Sequence, residues 1–293
     1  MLEKTTIDWQ AAAKDLDIEG RAFINGRFVN ALSAQTRTTH NPANGETLTE
    51  VANCGPEDAE LAVKGARAAF ESGVWSNMAP MDRKMVLVRW AELIEENSDE
   101  LALLECLDVG KPISDTLNVD VPASVRTIRW SGEAIDKVYD EISPTPGDCL
   151  ALVQRLPLGV VAAIVPWNFP LSTTAWKLAP SLATGNSVIL KPASNTPLSA
   201  LFIARLASEA GLPDGVLQVL PGPGGSLGKH LATHMDIDGL TFTGSTPVGK
   251  MLMEYSGQSN LKRTFLELGG KSPNIVFADA NLDKAAGMAA AAV

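Results

Sequence analysis

The sequence is poor in cysteine and in basic residues, and each scarcity excludes a class of protein. The three cysteines are odd in number and widely spaced, which argues against a disulfide framework and predicts free thiols in a reducing compartment, the cytoplasm. Acidic residues outnumber basic ones by 34 to 24, and the net charge of −10 disfavours nucleic acids and anionic membranes as partners. No apolar run approaches the ~18 residues of a membrane span, and the first residues do not resemble a signal peptide.

Histidine is equally scarce, with three residues in 293. His230 and His234 are four apart on a predicted helix, a spacing that suits a metal ion. Leu231 stands where a metalloprotease needs Glu, however, and no third ligand is evident. We therefore predict no metal site and interpret the pair as a helix face. The third histidine, His40, lies in an N-terminal loop, so a Ser-His-Asp triad has little support.

The second half of the chain alternates short apolar runs with helical patterns. Val160–Val165 is a continuous apolar run, typical of a strand buried on both faces. Further strands are predicted at 152–156, 187–190, 215–220 and 239–243, with helices at 197–210, 226–234 and 247–255. This alternation predicts an α/β fold with a Rossmann-like parallel sheet flanked by helices.

The first half is mainly helical in pattern. Ala22–Val29 predicts a hairpin across an Asn-Gly turn. Apolar residues at three- and four-residue spacing predict helices at about 56–71 and 81–96, through 100–105, and at 121–139. The hydrophobic content of 45% and charged content of 20% are those of a globular protein that can bury a sizeable core.

The loops after the strands are the candidate sites, because parallel sheets bind ligands beyond the carboxyl ends of their strands. In Pro166–Pro170 the Asn168 amide is able to donate to a developing oxyanion; the alternative is a rigid turn with a packed Trp. Lys191 suits a phosphate or ribose hydroxyls, with an ordinary solvated lysine as the alternative. Pro221–Gly228 resembles a glycine-rich dinucleotide turn only loosely and is equally well a plain loop.

The next loop, Gly244–Lys250, has the features of a well-formed helix start. A glycine turn, a hydroxyl cap at Ser245 and Pro247 in the first turn favour a pyrophosphate at the helix N-terminus. The run also satisfies the phosphate-loop pattern as far as Gly-Lys, and Ile275–Asp279 mimics the later strand and Asp of a nucleotide hydrolase. Met251 replaces the Ser or Thr that should hold Mg²⁺, which disfavours a hydrolase.

A lone carboxylate, Glu267, stands in an apolar run before a glycine pair. An acid there is costly to bury unless it has a function or a partner, so we interpret Glu267 as a general base. Four runs together resemble the NAD(P)-dependent aldehyde dehydrogenase superfamily, in the family's order and spacing over essentially the whole chain. These runs are Pro166–Pro170, Lys191–Ala193, Phe242–Thr246 with Gly249, and Glu267–Lys271.

A closer likeness links the chain to enzymes of that superfamily that oxidise γ-glutamylamino-aldehydes. It is carried by Ile128–Trp130, Glu133–Tyr139 and the segment Ser259–Arg263. The resemblance implies an amino- or γ-glutamylamino-aldehyde as the small-molecule substrate.

The resemblance also implies a mechanism and a set of site residues. A cysteine thiolate attacks the aldehyde, hydride passes to NAD or NADP, and water activated by Glu267 releases the acid. Asn168 is implied to hold the oxyanion, and Lys177 to be linked to Glu267 through a proton relay. The residues implied to bind the cofactor are Ile164, Pro166, Trp167, Lys191, Ser194, Gly224, Gly244, Ser245, Thr246, Gly249 and Leu268.

Two departures from the family pattern alter these expectations. Many NAD-preferring members carry Glu where this chain has Ser194; a neutral serine does not repel a 2′-phosphate and leaves Lys191 available to it, so we expect NADP to be accepted. The family's catalytic Cys follows the glutamate in a Gly-Gln-x-Cys setting. The sequence ends at Val293 before that point, and its three cysteines match no family position.

The expected domains are a cofactor-binding domain over residues 1–266 and the start of a truncated catalytic domain over 267–293. The first includes the N-terminal helices and an oligomerisation strand near 140–158. The full-length family is homo-oligomeric; for this chain alone we expect an unpaired strand edge, poor stability or association, and loss of aldehyde oxidation. Three functions stay open: an aldehyde dehydrogenase, a non-catalytic dinucleotide-binding remnant, and a phosphate-loop hydrolase.

Overall fold

The computed structural model describes residues 8–291, and a seven-stranded sheet with helices on both faces forms its centre. The strands in this part of the chain are β1 (Ala22–Ile24), β2 (Arg27–Val29), β3 (Thr36–His40), β4 (Thr47–Ala52), β5 (Glu141–Ser143), β6 (Ala151–Val153), β7 (Val160–Ile164), β8 (Ser187–Lys191), β9 (Leu217–Val219), β10 (Gly239–Gly244) and β11 (Arg263–Leu268).

The helices of the same part are α1 (Trp9–Lys14), α2 (Pro56–Glu71), α3 (Pro80–Glu96), α4 (Ser98–Val109), α5 (Ile113–Asp115), α6 (Val121–Ala134), α7 (Pro170–Ala183), α8 (Leu198–Glu209), α9 (Lys229–Thr233), α10 (Thr246–Gly257) and α11 (Leu282–Ala291). Three further turns adjoin these helices. The π-helical turn Thr116–Asp120 leads into α6, and the π-helical turn Gly224–Gly228 leads into α9. The 3₁₀ turn Ile135–Lys137 follows α6 directly. No helix of residues 8–291 combines the length and the apolar character needed to cross a bilayer.

The strand order of the large sheet is β11-β10-β7-β8-β9-β1-β2. The five strands β7 to β11 are parallel, and β1 joins antiparallel to β9. The first parallel strand, β7, lies in the middle, with β8 and β9 on one side and β10 and β11 on the other. The direction of winding therefore reverses between β7 and β10. In open α/β sheets, ligands bind at such a switch point, beyond the carboxyl ends of the strands.

Helices cover both faces of the sheet, which is why β7 and β8 are buried along their whole length. On one face, α3, α6, α7 and α8 pack against the sheet around Trp90, Leu178 and Leu190. On the other face, α2, α9 and α10 pack around Ala62 and Ile189. The predicted α/β class with a helix-flanked parallel sheet is confirmed.

The local predictions hold best where a turn or a long helix fixes the backbone. Asn25 and Gly26, between β1 and β2, have φ of 50° and 77°, the positive values that a two-residue hairpin turn requires. Helix α2 begins and ends at the predicted residues, and α3 starts one residue before its predicted start.

Several predicted elements differ in the structure. The helix expected over 121–139 ends at Ala134 and the 3₁₀ turn, because Val138 and Tyr139 are exposed and have no core to pack against. The strand expected over 152–156 is the three-residue β6. The strand predicted over 215–220 is likewise shortened to β9, and the helix predicted over 226–234 is shortened to α9. No strand forms over 271–277, so the strand that a phosphate-loop hydrolase needs there is missing.

Besides the short helices α1 and α5, the sequence does not predict the β3–β4 hairpin, helix α7 or strand β11. The hairpin strands are dominated by polar side chains, and α7 opens with the run Leu171–Thr174, whose small and β-branched residues are weak helix formers. Strand β11 pairs with β10 from Gly239↔Arg263 to Gly244↔Leu268. The sheet therefore extends through Leu268 and includes Glu267.

Candidate functional site

The switch point is lined by residues from loops that are far apart in the sequence. Ile164 ends β7, which pairs with β10 on one side and β8 on the other. The chain then passes through Pro166, which is half-buried, and Trp167, whose side chain is exposed, before α7 begins at Pro170. The predicted first loop thus lies at the carboxyl edge of the sheet, beside the start of α10.

The start of α10 presents backbone donors at the same edge. Strand β10 ends at Gly244, and Ser245 is the N-cap residue with an extended backbone but without a capping hydrogen bond from its side chain. Ser245 and Thr246 are exposed. Within residues 8–291 no side chain accepts a hydrogen bond from the first N–H groups of α10, and together with the helix dipole these groups attract an anion.

Gly249 holds α10 against β11. A Cβ atom at this position would lie 2.4 Å from Cδ2 of Leu268, well inside van der Waals contact. Only a glycine lets the helix approach this closely without moving the leucine. Leu268 itself stays partly exposed at the end of β11.

An apolar cleft of about 240 Å³ lies between the end of β7, the glycine turn and α10. The predicted Pro221–Gly228 loop forms the π-helical turn on one side of the cleft, so it is not a plain loop. The cleft is lined by Ile164, Gly224, Gly225, Gly228, Lys229, Val248, Met251, Leu252 and Tyr255. Its mainly apolar lining suits a flat aromatic ring.

Lys191 is buried, not solvated, with 4% of its surface exposed. Its Nζ donates to the Pro192 carbonyl at 2.8 Å, and burial lowers the pKa of its ammonium group to about 8. Ser194 Oγ donates to the Gly222 carbonyl at 3.0 Å. Ser194 and Trp167 border a second depression, of about 380 Å³.

Glu267 is exposed, which corrects the expectation of a carboxylate buried in an apolar run. It pairs in register with Thr243 of β10, and β11 has its far edge open in the described part of the chain. Lys177, in α7, is half-buried; burial lowers the pKa of its ammonium group, and the charge of Glu267 opposes that shift. The two charges are therefore close enough to interact, although no hydrogen bond joins them within residues 8–291.

Asn168 is exposed in the loop before α7, and two side chains of the helical region anchor that loop. Glu105 Oε1 accepts from the Leu171 N–H at 3.1 Å, in the first turn of α7. Lys111 Nζ lies 3.5 Å from the centroid of the Phe169 ring. The loop thus leaves β7 in a fixed direction.

Glu105 and Asp108 were not identified from the sequence. They lie one turn apart on α4, and each bonds the backbone of a different helix start, since Asp108 Oδ2 accepts from the Leu198 N–H at 2.9 Å. Burial raises the pKa of the Glu105 carboxyl to about 7 and raises that of Asp108 as well. The signal in the sequence is a pair of acids in the otherwise apolar run Leu101–Val109. Helix α4 therefore fixes the starts of both helices that follow β7 and β8.

A Rossmann-ordered parallel sheet with an uncapped helix N-terminus at its switch point defines the class of dinucleotide-binding α/β domains. The sequence model described as "Aldehyde dehydrogenase family" matches residues 28–293. The chain belongs to the aldehyde dehydrogenase family.

Similar proteins of this family cover nearly all of the chain. The NADP/NAD-dependent aldehyde dehydrogenase PuuC of Escherichia coli is 52% identical over 286 residues, which are 97% of this chain and 58% of PuuC. The indole-3-acetaldehyde dehydrogenase AldA of P. syringae, solved in complex with NAD⁺ and IAA, is 58% identical with a TM-score of 0.96, over 97% of this chain and 58% of AldA. The γ-glutamyl-γ-aminobutyraldehyde dehydrogenase of Burkholderia cenocepacia is 54% identical with a TM-score of 0.96, over the same shares. The chain spans a little under three fifths of the length of these relatives.

Proposed function

We propose that this chain forms the dinucleotide-binding part of an NAD(P)-dependent aldehyde dehydrogenase. The observation that carries the proposal is the switch point, where the end of β7, the uncapped start of α10 and an apolar cleft meet at one edge of the sheet. Similarity to AldA, which was solved with NAD⁺, and to PuuC, described as NADP/NAD-dependent, supports this.

The residues at the switch point fit such a cofactor. The N–H groups at the start of α10 suit its pyrophosphate, and the apolar cleft suits its flat base. A Cβ atom at Gly224 would meet nothing within 4 Å, so this wall of the cleft is open. The cofactor, when bound, supplies the acceptor for the hydride of the oxidation. The residues proposed to hold it are Ile164, Pro166, Trp167, Lys191, Ser194, Gly224, Gly244, Ser245, Thr246, Gly249 and Leu268.

The choice between NAD and NADP is proposed to rest on Ser194 and Lys191. Ser194 carries no charge and its hydroxyl is already bonded to the Gly222 carbonyl, so it does not repel a 2′-phosphate. The Lys191 ammonium group is buried at the end of β8, three residues before Ser194, and its only hydrogen bond among the described residues is to a neutral carbonyl, so a phosphate would give its charge a partner. We therefore infer that the site accepts NADP and expect it to bind at least as tightly as NAD.

The catalytic groups are proposed to be Glu267, Asn168 and Lys177. Glu267 is exposed at the carboxyl edge of the sheet, where its carboxylate can take a proton from water. The Asn168 amide can donate to an oxyanion beside the anchored loop before α7. Lys177, whose charge interacts with that of Glu267, can relay the proton.

None of the three cysteines is in a setting that suits a catalytic thiol. Burial raises the pKa of the Cys54 thiol to about 12 and also raises that of Cys106, so neither forms a thiolate readily. Cys149 is exposed, between β5 and β6, on a different element from every proposed catalytic group. We therefore expect residues 1–293 by themselves to bind the cofactor without oxidising an aldehyde. A non-catalytic dinucleotide-binding protein is the alternative that this observation favours.

The domain division stays a proposal: a cofactor-binding domain over residues 1–266 and the start of a catalytic domain over residues 267–293. The proposed substrate is a small amino- or γ-glutamylamino-aldehyde, in line with the relative from Burkholderia cenocepacia. The proposed location is the cytoplasm, in keeping with three free cysteines. The two-stranded arm of β5 and β6 carries exposed apolar side chains, Ile142 and Leu152 among them, and is proposed to mediate association between copies of the chain. No nucleic acid or membrane partner is proposed.

Calorimetric titration of the 293-residue chain with NAD and with NADP tests this function. We expect one site per chain, with NADP binding at least as tightly as NAD. If the chain binds neither NAD nor NADP, the proposal is refuted. A strong preference for NAD would refute the role given to Ser194. An assay of NAD(P)H formation from 4-aminobutanal separates the two candidate functions, because thiol-dependent turnover would exclude the non-catalytic alternative.

A further inference from the structure

A second group of converging side chains lies between α2 and the end of α9. The two histidines that are four apart in the sequence, His230 and His234, both point at Glu60 of α2. The sequence offers no third ligand for this pair, and the fold supplies one from 170 residues away. We call Glu60, His230 and His234 the histidine cluster.

The ligand atoms of the histidine cluster are already close together. Nε2 of His230 lies 2.8 Å from Glu60 Oε1, and Nε2 of His234 lies 3.3 Å from the same oxygen. One ligand atom from each of the three side chains falls within 4.8 Å of the others. Ligands at ~2.0–2.1 Å from a tetrahedral zinc are roughly 3.3 Å apart, so small side-chain movements bring all three into range.

We propose that the histidine cluster binds a transition-metal ion of the Zn²⁺ type. Two imidazoles and one carboxylate are the ligands that zinc and its neighbours prefer, whereas Mg²⁺ and Ca²⁺ prefer oxygen alone. Glu60 and His234 also border an open depression of about 360 Å³, so water can reach the ion and complete its coordination.

A hydrogen bond to His234 determines which ring nitrogen carries the proton. Metal binding through Nε2 requires the other tautomer. The Asp236 N–H donates to His234 Nδ1 at 3.0 Å, so the neutral ring carries its proton on Nε2, towards Glu60. Coordination through Nε2 moves that proton to Nδ1 and breaks the bond from Asp236. Because Asp236 is exposed in a turn, its N–H can turn to water, and the loss is about one hydrogen bond. We therefore expect this rearrangement to weaken Zn²⁺ binding by up to about tenfold.

The ion would join α2 to α9, and of these two helices only α9 contributes a residue to the apolar cleft. Glu60 lies on α2, whereas His230 directly follows Lys229, which lines the apolar cleft at the end of the glycine turn. Metal binding is thus expected to fix α9 against α2 and to raise the melting temperature of the chain. This inference does not depend on the proposed enzyme activity.

Titration of tag-free, metal-stripped chain with Zn²⁺, followed by calorimetry, tests the site. We expect one ion per chain, and an affinity at least about tenfold weaker in His230→Ala and in Glu60→Gln. Both side chains are partly exposed, so neither change should prevent folding. The matched control is His40→Ala, which removes the one remaining histidine of the sequence, an exposed residue of β3, and should leave the affinity unchanged.

The electronic spectrum of the Co²⁺-loaded chain identifies the ligand type. Nitrogen and oxygen ligands give d–d bands without the intense near-ultraviolet band of a thiolate ligand, and we expect the former. A thiolate band, which would point to Cys149, would overturn the proposal. Full Zn²⁺ affinity in the double variant His230→Ala, His234→Ala, or no binding by the unaltered chain, would overturn it as well.

Discussion

Replacement of the buried carboxylate Glu105 by glutamine should stabilise the chain, and more so as the pH rises. Glu105 has no measurable exposure, and Ser199 lies beside it. Glutamine keeps the oxygen that accepts from the Leu171 N–H, and its amide group can still form a hydrogen bond with the neighbouring Ser199 hydroxyl. The substitution thus removes a buried charge and retains the anchor of α7.

The sign and the size follow from the pKa of the Glu105 carboxyl. Burial raises this pKa from 4.5 to about 7, so the folded chain holds the proton more tightly than the unfolded chain does. The stabilising effect of that proton is complete below the unfolded pKa and is lost as the pH rises through the folded pKa. Above about pH 7 the buried carboxylate therefore destabilises the fold by about 3 kcal/mol relative to a neutral group.

Urea unfolding of the wild-type chain and of Glu105→Gln at about pH 5.5 and about pH 8 measures the effect. We expect the advantage of the variant to grow by about 2 kcal/mol between the two conditions. Groups that do not interact with Glu105, such as Lys191 with its pKa of about 8, act in both proteins and cancel in the difference.

A variant that is less stable than the wild type by the same amount at both pH values would refute the reasoning. Such a result would mean that Glu105 is neutral throughout or that the shape of the carboxyl group, not its charge, is what the site needs. Glu105→Leu separates these cases: it also removes the charge but leaves the Leu171 N–H without an acceptor, so it should be less stable than Glu105→Gln.

Further predictions concern the cofactor site and the exposed arm. Ser194→Glu should weaken NADP binding by at least about tenfold while sparing NAD, because it sets a carboxylate against the 2′-phosphate; titration with both nucleotides checks this. Gly249→Ala should weaken both nucleotides, since its Cβ meets Leu268 at 2.4 Å, whereas Gly257→Ala, on the same helix with nothing within 4 Å, should not. Leu152→Asp should reduce self-association in sedimentation experiments, because it places a charge in the exposed apolar arm.

The sequence predicts the separate segments that form the carboxyl edge of the parallel sheet. The Val160–Val165 run, the loops after the strands and the Gly244–Lys250 helix start are local patterns, and the structure has them where they were expected. How these segments are arranged in space does not follow from local patterns. The loops after β7 and β10 are neighbours because the two strands lie side by side in the sheet.

Burial was the property that sequence patterns predicted least well. Glu267 sits in an apolar run, yet it is exposed, whereas Lys191 looked like an ordinary surface lysine and is buried. Glu105 lies in a run of leucines, where its burial could be suspected but its partner could not. The partner, the Leu171 N–H, is 66 residues away.

The sequence by itself determined the class of fold, the turns and the family. Backbone preferences and hydrophobic periodicity act between residues that are near in the chain, so an Asn-Gly turn or a strand–glycine–helix run carries its own structure. Tertiary structure alone decided which loops share an edge, which acids are buried, and that Glu60 faces His230 across 170 residues. Desolvation and hydrogen bonding depend on neighbours supplied by distant segments, and only the folded chain brings those segments together.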